Sequence, residues 1–388
     1  MAQVRLSKAL ERSLYGGHPW VFRAALHPFD CPPGTEVRVL DRRGRCIARG
    51  LTDAGPIGVR IFTLGDRPID DRLLSERIER AWALRARVIP AETDAYRLLH
   101  GEGDGLPGIV LDRYGTCAVL RLDGAGAETL VERLVPCLQA SLSSLGVRTL
   151  CLRTGRKRDR KVRTLVGPEP DDEVRVRERG MRLRANLRAG QKTGLFLDHR
   201  ETRFCVRGIA GGARVLNLYG YTGGFSLAAG MGGAAHVTTV DVARPALSLA
   251  EHTFPDNGLD PAGHETVARD AWQYLEEARR AGKRFDLVVA DPPNLAPNEA
   301  ARDGALSAYA DLHAAVLPLL RPGGLYLAAS CSSHIRLDAF MDTLRTGAHT
   351  AKKRLQLLER TGAPADHPRL LNFPEGDYLK VVLMRLAE

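Results

Sequence analysis

Four positions in the second half of the chain could together hold a nucleoside, because each follows an apolar, strand-like run. The runs end at Asn217-Leu-Tyr-Gly-Tyr-Thr-Gly-Gly224, Asp241, Asp270 and Asp291-Pro-Pro. A carboxylate at the end of a second strand, such as Asp241, can accept hydrogen bonds from both hydroxyls of a ribose. We read Asp270 as the end of the third strand, where it could contact the amino group of an adenine. The glycine-rich turn alone is a weak signal, because it lacks the GxGxxG pattern.

The two prolines after Asp291 distinguish between two classes of enzyme. A nicotinamide-dependent dehydrogenase would share the glycine-rich turn and the ribose acid, but it does not need Asp-Pro-Pro after the fourth strand. Prolines fix the backbone and remove hydrogen-bond donors, which leaves a rigid ledge for a planar base. The alternative for Asp291-Pro-Pro alone is an ordinary strand-terminating turn. With all four strand ends taken together, the pattern favours a methyltransferase over a dehydrogenase.

The elements that position these residues alternate between apolar strands and helices. The sequence predicts strands at 214–218, 237–242, 285–290 and 325–330, and helices near 224–231, 244–253, 271–282 and 305–320. Such alternation is typical of an α/β fold with a doubly wound, parallel sheet.

The first half of the chain has a different pattern. Short strands separated by Gly and Pro are predicted at 36–40, 46–48 and 58–62, followed by helical periodicity over 70–90. Further strand-like runs at 109–112 and 117–122 precede a helix near 127–145. The chain therefore contains a small β-rich module and a mixed α/β segment before the doubly wound sheet.

The net charge is +10, with an isoelectric point near 9.4. Such an excess attracts polyanions, of which nucleic acid is the commonest soluble example, although a basic protein need not bind one. Residues 1–65 carry ten Lys and Arg against five Asp and Glu. The run 153–163 has seven positive side chains and one negative. This run is either solvated surface or an RNA-facing loop that includes Arg156, Lys157, Arg158 and Arg160.

The seven cysteines are scattered and form no CxxC pair. This pattern disfavours zinc and a disulfide framework, so we expect no metal and a reducing, cytoplasmic environment. No run of 18 apolar residues is present, so no membrane span is predicted.

Several motifs, taken in order, resemble those of the bacterial 23S ribosomal RNA cytosine-5 methyltransferases with an N-terminal PUA (pseudouridine synthase and archaeosine transglycosylase) domain. The similarity runs nearly from end to end. Its motifs are Gly17-His-Pro-Trp-Val-Phe22, Gly101-Glu-Gly-Asp-Gly-Leu-Pro-Gly108, Gly190-Gln-Lys-Thr-Gly-Leu-Phe-Leu-Asp-His-Arg200, Tyr221-Thr-Gly-Gly-Phe-Ser226, Asp291-Pro-Pro, Ser330-Cys-Ser332 and Pro374-Glu-Gly-Asp-Tyr-Leu-Lys380.

This resemblance implies three parts: a PUA domain over 1–70, a central α/β domain over 71–188 and a class I methyltransferase domain over 189–388. The implied cofactor is S-adenosyl-L-methionine, and the implied partner is RNA, most specifically 23S ribosomal RNA or a large-subunit assembly particle. Asp198 and Arg200 would hold the amino-acid end of the cofactor. The remaining candidate cofactor residues are Asn217, Tyr219, Tyr221, Thr222, Gly223, Asp241, Asp270 and Ala271.

Methylation at carbon 5 of cytosine needs a nucleophile, because this carbon is unreactive in the intact ring. A thiolate that adds at carbon 6 makes carbon 5 enamine-like, and an acid must hold or protonate N3. Cys331 follows the fifth strand and Asp291 follows the fourth, so they form the predicted catalytic pair. Ser332-Ser333-His334 would start the next helix, whose N-terminus would favour the thiolate. The alternative for Cys331 is a small buried hydrophobe.

Asn294 occupies the position after Asp-Pro-Pro, where many RNA cytosine-5 methyltransferases have a second cysteine and close relatives often have lysine. Two other functions stay open. One is a guanine-N7 ribosomal RNA methyltransferase, which would need no thiol at Cys331. The other is a non-catalytic RNA-binding factor in ribosome assembly. The sequence leaves the target cytosine and a possible homodimer open.

Overall fold

The computed structural model describes residues 1–155 and 159–387, which divide into two compact units. The first unit consists of Met1–Val176, Ala185–Leu197 and Ala365–Gly376. The second consists of Arg177–Arg184, Asp198–Pro364 and Asp377–Glu388.

The first unit begins with a five-stranded sheet in the order β1-β3-β4-β5-β2. Its elements are β1 (Ala2–Arg5), α1 (Glu11–Tyr15), β2 (Trp20–Phe22), β3 (Glu36–Leu40), β4 (Cys46–Thr52) and β5 (Ile57–Leu64). Along β3 the side chains alternate between buried and half-buried, as expected of a strand with one face on a core. The predicted β-rich module is confirmed.

A second five-stranded sheet follows in the same unit, in the order β10-β9-β8-β7-β6. The elements are α2 (Asp71–Val88), β6 (Ala95–His100), β7 (Ile109–Tyr114), β8 (Cys117–Leu122), α3 (Ala125–Glu128), α4 (Val131–Ser144), β9 (Thr149–Thr154) and β10 (Lys161–Val166). Asp70 caps α2 by accepting a hydrogen bond from the Leu73 amide at 2.8 Å. The apolar faces of α2 and α4 pack into the core of this sheet, with Leu74 and Leu134 fully buried.

The second unit contains a seven-stranded sheet with helices between its strands. A two-stranded hairpin precedes it, made of β11 (Val174–Glu178) and β12 (Met181–Ala185). The elements that follow are α5 (Arg200–Ile209), β13 (Arg214–Leu218), α6 (Gly224–Met231), β14 (His236–Asp241), α7 (Arg244–Asp256), β15 (His264–Ala268), α8 (Ala271–Arg280), β16 (Phe285–Ala290), α9 (Arg302–Val316), β17 (Leu320–Ser330), α10 (Leu337–Thr350), β18 (Leu355–Thr361) and β19 (Lys380–Leu386).

The strand order is β15-β14-β13-β16-β17-β19-β18. The first five strands are parallel, which confirms the doubly wound sheet predicted from the sequence. The edge formed by β19 and β18 is antiparallel and was not predicted. The burial pattern explains why β18 is inconspicuous: all of its residues after Leu355 are exposed, so it lacks the apolar alternation that marks a strand.

Two histidines of this second unit have lowered pKa values, His313 because it is fully buried and His264 because it is half-buried. His313 on α9 places Nδ1 2.7 Å from the Tyr326 hydroxyl, and burial lowers the pKa of His313 to about 3. His264 stacks on Phe254 at 4.1 Å, and burial lowers the pKa of His264 to about 4. Both imidazoles therefore stay neutral at neutral pH. None of the helices within residues 1–155 and 159–387 has the length and apolar composition needed to cross a bilayer.

The buried His313 should make this unit sensitive to acid. In the unfolded chain His313 binds a proton below about pH 6.5, whereas in the folded protein it stays neutral down to about pH 3. The free energy of unfolding therefore falls as the pH drops through this range. Between pH 7.5 and pH 5.0 the wild-type protein should lose about 2 kcal/mol more unfolding free energy than His313→Gln. Denaturant unfolding at the two pH values measures the difference. The exposed His349→Gln should behave like the wild type, and equal losses in the wild type and His313→Gln would contradict the assignment.

Candidate active site

The carboxyl ends of β13 to β17 meet at one edge of the seven-stranded sheet. The chain order reverses at β13, because β14 and β15 follow on one side and β16 and β17 on the other. Open α/β sheets bind ligands in the crevice at such a reversal. Leu218 pairs with Ala290, and each is the last residue of its strand. The turns that begin at Tyr219 and at Asp291 therefore start side by side.

Asp241 holds the backbone of the turn after β13. Tyr219 and Tyr221 have positive φ angles of 57° and 48°, a conformation that residues other than glycine rarely adopt. The Tyr221 amide donates to Asp241 Oδ2 at 2.9 Å, and the Ala243 amide donates to Oδ1 at 2.8 Å. A carboxylate oxygen has two lone pairs, so each oxygen retains an acceptor position for a ligand.

The turn continues into α6 through Thr222 and Gly223. Thr222 is buried, and Gly223 precedes the helix with φ of 75°. A Cβ on Gly223 would lie 2.7 Å from the Cβ of Ala250, so the approach of α7 requires glycine here.

Asp270 does not end the third strand, which corrects the expectation from the sequence. The strand β15 ends at Ala268, and Asp270 is the N-cap of α8, where its Oδ1 accepts from the Trp272 amide at 2.9 Å. The capping role explains the acid at this position. Its charge still bears on the site, because burial first and then Asp270 raise the pKa of Tyr219 to about 12. Ala271 is the buried first residue of the helix.

Asn217 and Asp198, two of the predicted cofactor residues, are both buried and hydrogen-bonded within the second unit. Asn217 Nδ2 donates to Ser226 Oγ at 2.8 Å, whereas Asn217 Oδ1 is buried and has no hydrogen-bond partner among the described residues. Asp198 Oδ2 accepts from the Tyr378 hydroxyl at 2.8 Å. The guanidinium of Arg200 is buried at the start of α5, with Nε 3.1 Å from Glu201 Oε1.

His199, which sequence reasoning missed, contacts one of the predicted catalytic residues. Its Nε2 lies 3.1 Å from Asp291 Oδ2, and the ring meets Phe225 edge-on. Burial is the largest influence and opposes the charged imidazole, but the Asp291 carboxylate and the nearby Asp198 together outweigh burial, so the pKa of His199 is raised. The only signal in the sequence was its place between Asp198 and Arg200 in the motif over 190–200.

Cys331 directly follows the last residue of β17, next to β16, which Asp291 follows. The two residues of the predicted pair thus come from neighbouring strand ends. The prediction that a helix starts at Ser332 is wrong, because α10 begins at Leu337 with Arg336 as its N-cap. The thiol therefore lacks the helix N-terminus that the sequence suggested.

A hydrogen bond joins the two loops that carry the predicted pair. Ser332 Oγ donates to Asn294 Oδ1 at 2.7 Å, and the Ala296 amide donates to the same oxygen at 3.0 Å. Tyr309 on α9 lies 3.4 Å from Ser332 Oγ. Burial first, and then the charges of Cys331 and Asp291, raise the pKa of Tyr309 to about 12, so this phenol stays protonated.

Lys380 is the second residue that sequence reasoning missed. It is buried at the start of β19, and its Nζ donates to the Ser332 carbonyl at 2.5 Å. Its position at the end of the motif over 374–380 was the available signal in the sequence. The contact joins a buried amine to the carbonyl of a residue far away in the chain, which no local pattern encodes.

The predicted RNA-facing residues belong to the first unit. Arg156, Lys157 and Arg158 lie outside the described residues. Arg160 is half-buried, and its Nη1 donates to the Gly190 carbonyl at 2.7 Å. Arg153, at the start of the same basic run, is buried on β9 and points inward to the same carbonyl. The run is therefore not uniformly solvated.

The comparisons with known proteins agree with this geometry. The family described as S-adenosylmethionine-dependent methyltransferase matches residues 128–385, and a PUA-like domain matches residues 4–64. This chain belongs to the S-adenosylmethionine-dependent methyltransferases. A ribosomal RNA large subunit methyltransferase of Deinococcus radiodurans is 36% identical over 99% of this chain and 97% of its own. Ribosomal RNA large subunit methyltransferase I of Cronobacter sakazakii is 35% identical over 97% of each chain.

Solved structures show the same fold. A SAM-dependent methyltransferase from Streptococcus mutans superposes with a TM-score of 0.87 at 22% identity, covering 99% of this chain and 100% of its own. A methyltransferase complexed with SAH gives a TM-score of 0.88 at 23% identity, with the same coverage.

The residues of this methyltransferase fit the cofactor of its family. The buried Asn217 Oδ1 has no hydrogen-bond partner among the described residues, and buried polar atoms are seldom left so in a native protein. The α-ammonium and hydroxyl groups of S-adenosylmethionine are donors of the kind that this oxygen lacks. Asp241 would accept from the ribose, and the turn from Tyr219 to Gly223 would lie beneath the methionine part.

Asp241→Ala should weaken the binding of S-adenosylmethionine by about 10- to 100-fold, because a charged hydrogen bond contributes about 1.5–3 kcal/mol. The variant loses the ribose acceptors and also the anchor of the Tyr221 amide. Isothermal titration calorimetry on the folded protein measures the affinity. Asp260→Ala is a matched control, since Asp260 caps a short exposed turn through the Ala262 amide at 2.9 Å. Unchanged affinity in Asp241→Ala would place the ribose elsewhere.

Proposed function

We propose that this methyltransferase methylates carbon 5 of a specific cytosine in RNA, through a covalent adduct between Cys331 and cytosine carbon 6. The observation that carries the proposal is the position of Cys331 and Asp291 at neighbouring strand ends, on the edge that carries the candidate cofactor residues. Methylation at carbon 5 needs a thiol and an acid at adjacent positions, whereas methylation of a ring nitrogen does not need this pair.

The proposed substrate is large-subunit ribosomal RNA, free or in an assembly particle. Support comes from the printed names of full-length relatives, which are ribosomal RNA large subunit methyltransferases. The PUA-like match over residues 4–64 and the charge excess of residues 1–65 also favour an RNA partner. We propose the division into 1–70, 71–188 and 189–388 for the RNA-binding, central and methyltransferase parts.

The proposed reaction begins when the Cys331 thiolate forms a bond to carbon 6 of a cytosine flipped out of its stack. The electron pair of the ring double bond moves to carbon 5, which is conjugated with N3, and a proton from the pair of His199 and Asp291 forms a hydrogen bond with N3 as negative charge develops there. Carbon 5 would take up the electrophilic methyl group that bound S-adenosylmethionine supplies, and the electron pair of the broken sulfur–methyl bond would stay on the sulfur of S-adenosylhomocysteine. A base then removes the proton from carbon 5, the double bond re-forms, and the bond between carbon 6 and sulfur breaks to release the Cys331 thiolate.

His199 has a role in this scheme through Asp291. Its imidazole lies 3.1 Å from the carboxylate and retains a proton above the usual pH, because the Asp291 charge outweighs the cost of burial. The pair therefore has a proton available where N3 of the base would lie. Asn294, whose amide oxygen accepts from Ser332, keeps the two catalytic loops together and needs no charge for this.

Cys331→Ala should abolish methylation of large-subunit RNA fragments while binding of cofactor and RNA is retained. Wild-type protein given fragments transcribed with 5-fluorocytidine should form a stable adduct, because fluorine cannot leave carbon 5 as a proton does. Mass spectrometry of the cross-linked peptide should locate the RNA on Cys331. Cys205→Ala, in the same unit, is the matched control and should still form the adduct.

Two results would contradict this mechanism. Methylation by Cys331→Ala at a rate comparable to the wild type, with the methyl group on a ring nitrogen such as guanine N7, would support the nitrogen-methylating alternative. RNA binding without any methyl transfer by the wild-type protein would support a role in ribosome assembly.

If the basic run faces RNA, replacing Arg156, Lys157 and Arg158 together with alanine should reduce the salt dependence of RNA binding. Each phosphate contact contributes about 0.7 to 0.9 to the slope of log K against log salt, so the slope should flatten by about 2. Fluorescence anisotropy across a salt series measures this slope. The triple alanine variant of Lys352, Lys353 and Arg354 removes the same charge from the other unit. An equal loss of slope in both triple variants would indicate a general charge effect.

A further inference from the structure

A buried lysine lies behind the loop that carries Cys331. Lys380 begins β19 and pairs with Ser330, the last residue of β17. Its side chain is 2% exposed, and Nζ donates to the carbonyls of Ser332 at 2.5 Å and Tyr378 at 2.9 Å. The lysine therefore contacts the residue after Cys331 and pairs with the residue before it.

We propose that Lys380 is a positioning residue whose ammonium group holds Cys331 as the thiolate and fixes the loop from Ser330 to Ser332. This inference rests on the proposed function, because it assigns the thiolate to the nucleophile of that reaction. An adjacent ammonium is one of the few environments that stabilise a thiolate in a protein.

The burial of this lysine argues for a role of its charge. An isolated ammonium group is costly to bury, and burial lowers the pKa of Lys380 to about 8, while the charges of Cys331 and Asp377 act in the opposite direction. The attraction between two opposite charges is mutual. Because the charge of Cys331 stabilises the ammonium form of Lys380, the ammonium of Lys380 stabilises the thiolate of Cys331 to the same extent. If the loop needed only two hydrogen-bond donors, a neutral amide could supply them.

Three features near the loop of Cys331, namely the start of α10, Asp291 and Tyr309, do not supply this positive charge. The start of α10 at Leu337 is too far along the chain for its N-terminus to act on Cys331. Asp291, after β16, is acidic and disfavours a second negative charge, even though His199 partly offsets it. Tyr309 on α9 is a neutral phenol that can donate a hydrogen bond but carries no positive charge.

The reactivity of Cys331 with iodoacetamide at different pH values tests the inference without RNA or methyl transfer. The rate of alkylation follows the thiolate, and mass spectrometry of the Cys331 peptide separates it from the other six cysteines. In Lys380→Met the pH of half-maximal alkylation should rise by about one unit or more, which slows the reaction at pH 7 by about tenfold. Lys380→Arg should retain most of the wild-type reactivity, because it keeps the charge. Lys352→Met removes an exposed lysine from the same unit and should match the wild type.

An alkylation profile of folded Lys380→Met that overlays the wild type would overturn the inference. If Lys380→Met fails to fold, the alkylation profile of the wild type tests the inference. Half-maximal alkylation of Cys331 at or above about pH 8.5, the ordinary value for a thiol, would also overturn the inference. The outcomes separate this inference from the proposed function. A low-pH profile that depends on Lys380, without a 5-fluorocytosine adduct, would support the ion pair and reject carbon 5 chemistry. A 5-fluorocytosine adduct together with the same alkylation profile in Lys380→Met and the wild type would support carbon 5 chemistry and reject the ion pair.

Discussion

The hydrogen-bonded register of β13 with β14 and β16 is the constraint on which the candidate site depends. Parallel strands must all run in one direction, so their carboxyl ends collect at one edge of the sheet. The strand order reverses at β13, between the turn at Tyr219 and the turn at Asp291, and open α/β sheets bind ligands at such a reversal. Every predicted cofactor and catalytic residue of the second unit, except those before β13, follows from this arrangement.

Buried polar groups then fix the backbone at this edge. Ser226 Oγ links Asn217 Nδ2 at 2.8 Å to Thr239 Oγ1 at 2.5 Å, and Thr239 Oγ1 lies 2.7 Å from His264 Nε2. A chain of this kind is stabilising only when its members are paired, because an unpaired polar group in a low dielectric is costly. Asp241 holds the turn through both of its carboxylate oxygens, and in the proposed cofactor site the same oxygens would accept from the ribose.

The loop that carries Cys331 is held in a different way. A helix N-terminus is a common means of favouring a thiolate, but the chain between Ser330 and Leu337 forms no helix. The antiparallel strand β19 instead places an amine beside the loop, and the Asn294 side chain ties this loop to the one that follows Asp291. Strand β19 therefore contributes to the chemistry that we propose as well as to the pairing of the sheet.

Features with a local signal could be predicted from the chain alone. The capped periodicity of α2, the apolar runs of β13 and β16, and the positions of Asp241, Asp291 and Cys331 at strand ends all follow from short-range patterns. Asp270 shows the limit of such patterns, because an acid after a strand reads equally well as a ligand contact or as a helix cap. The contacts of His199 with Asp291 and of Lys380 with Ser332 join residues far apart in the chain. Strand pairing and burial create these contacts, and the free energy that decides them comes from long-range packing, which no window of neighbouring residues contains.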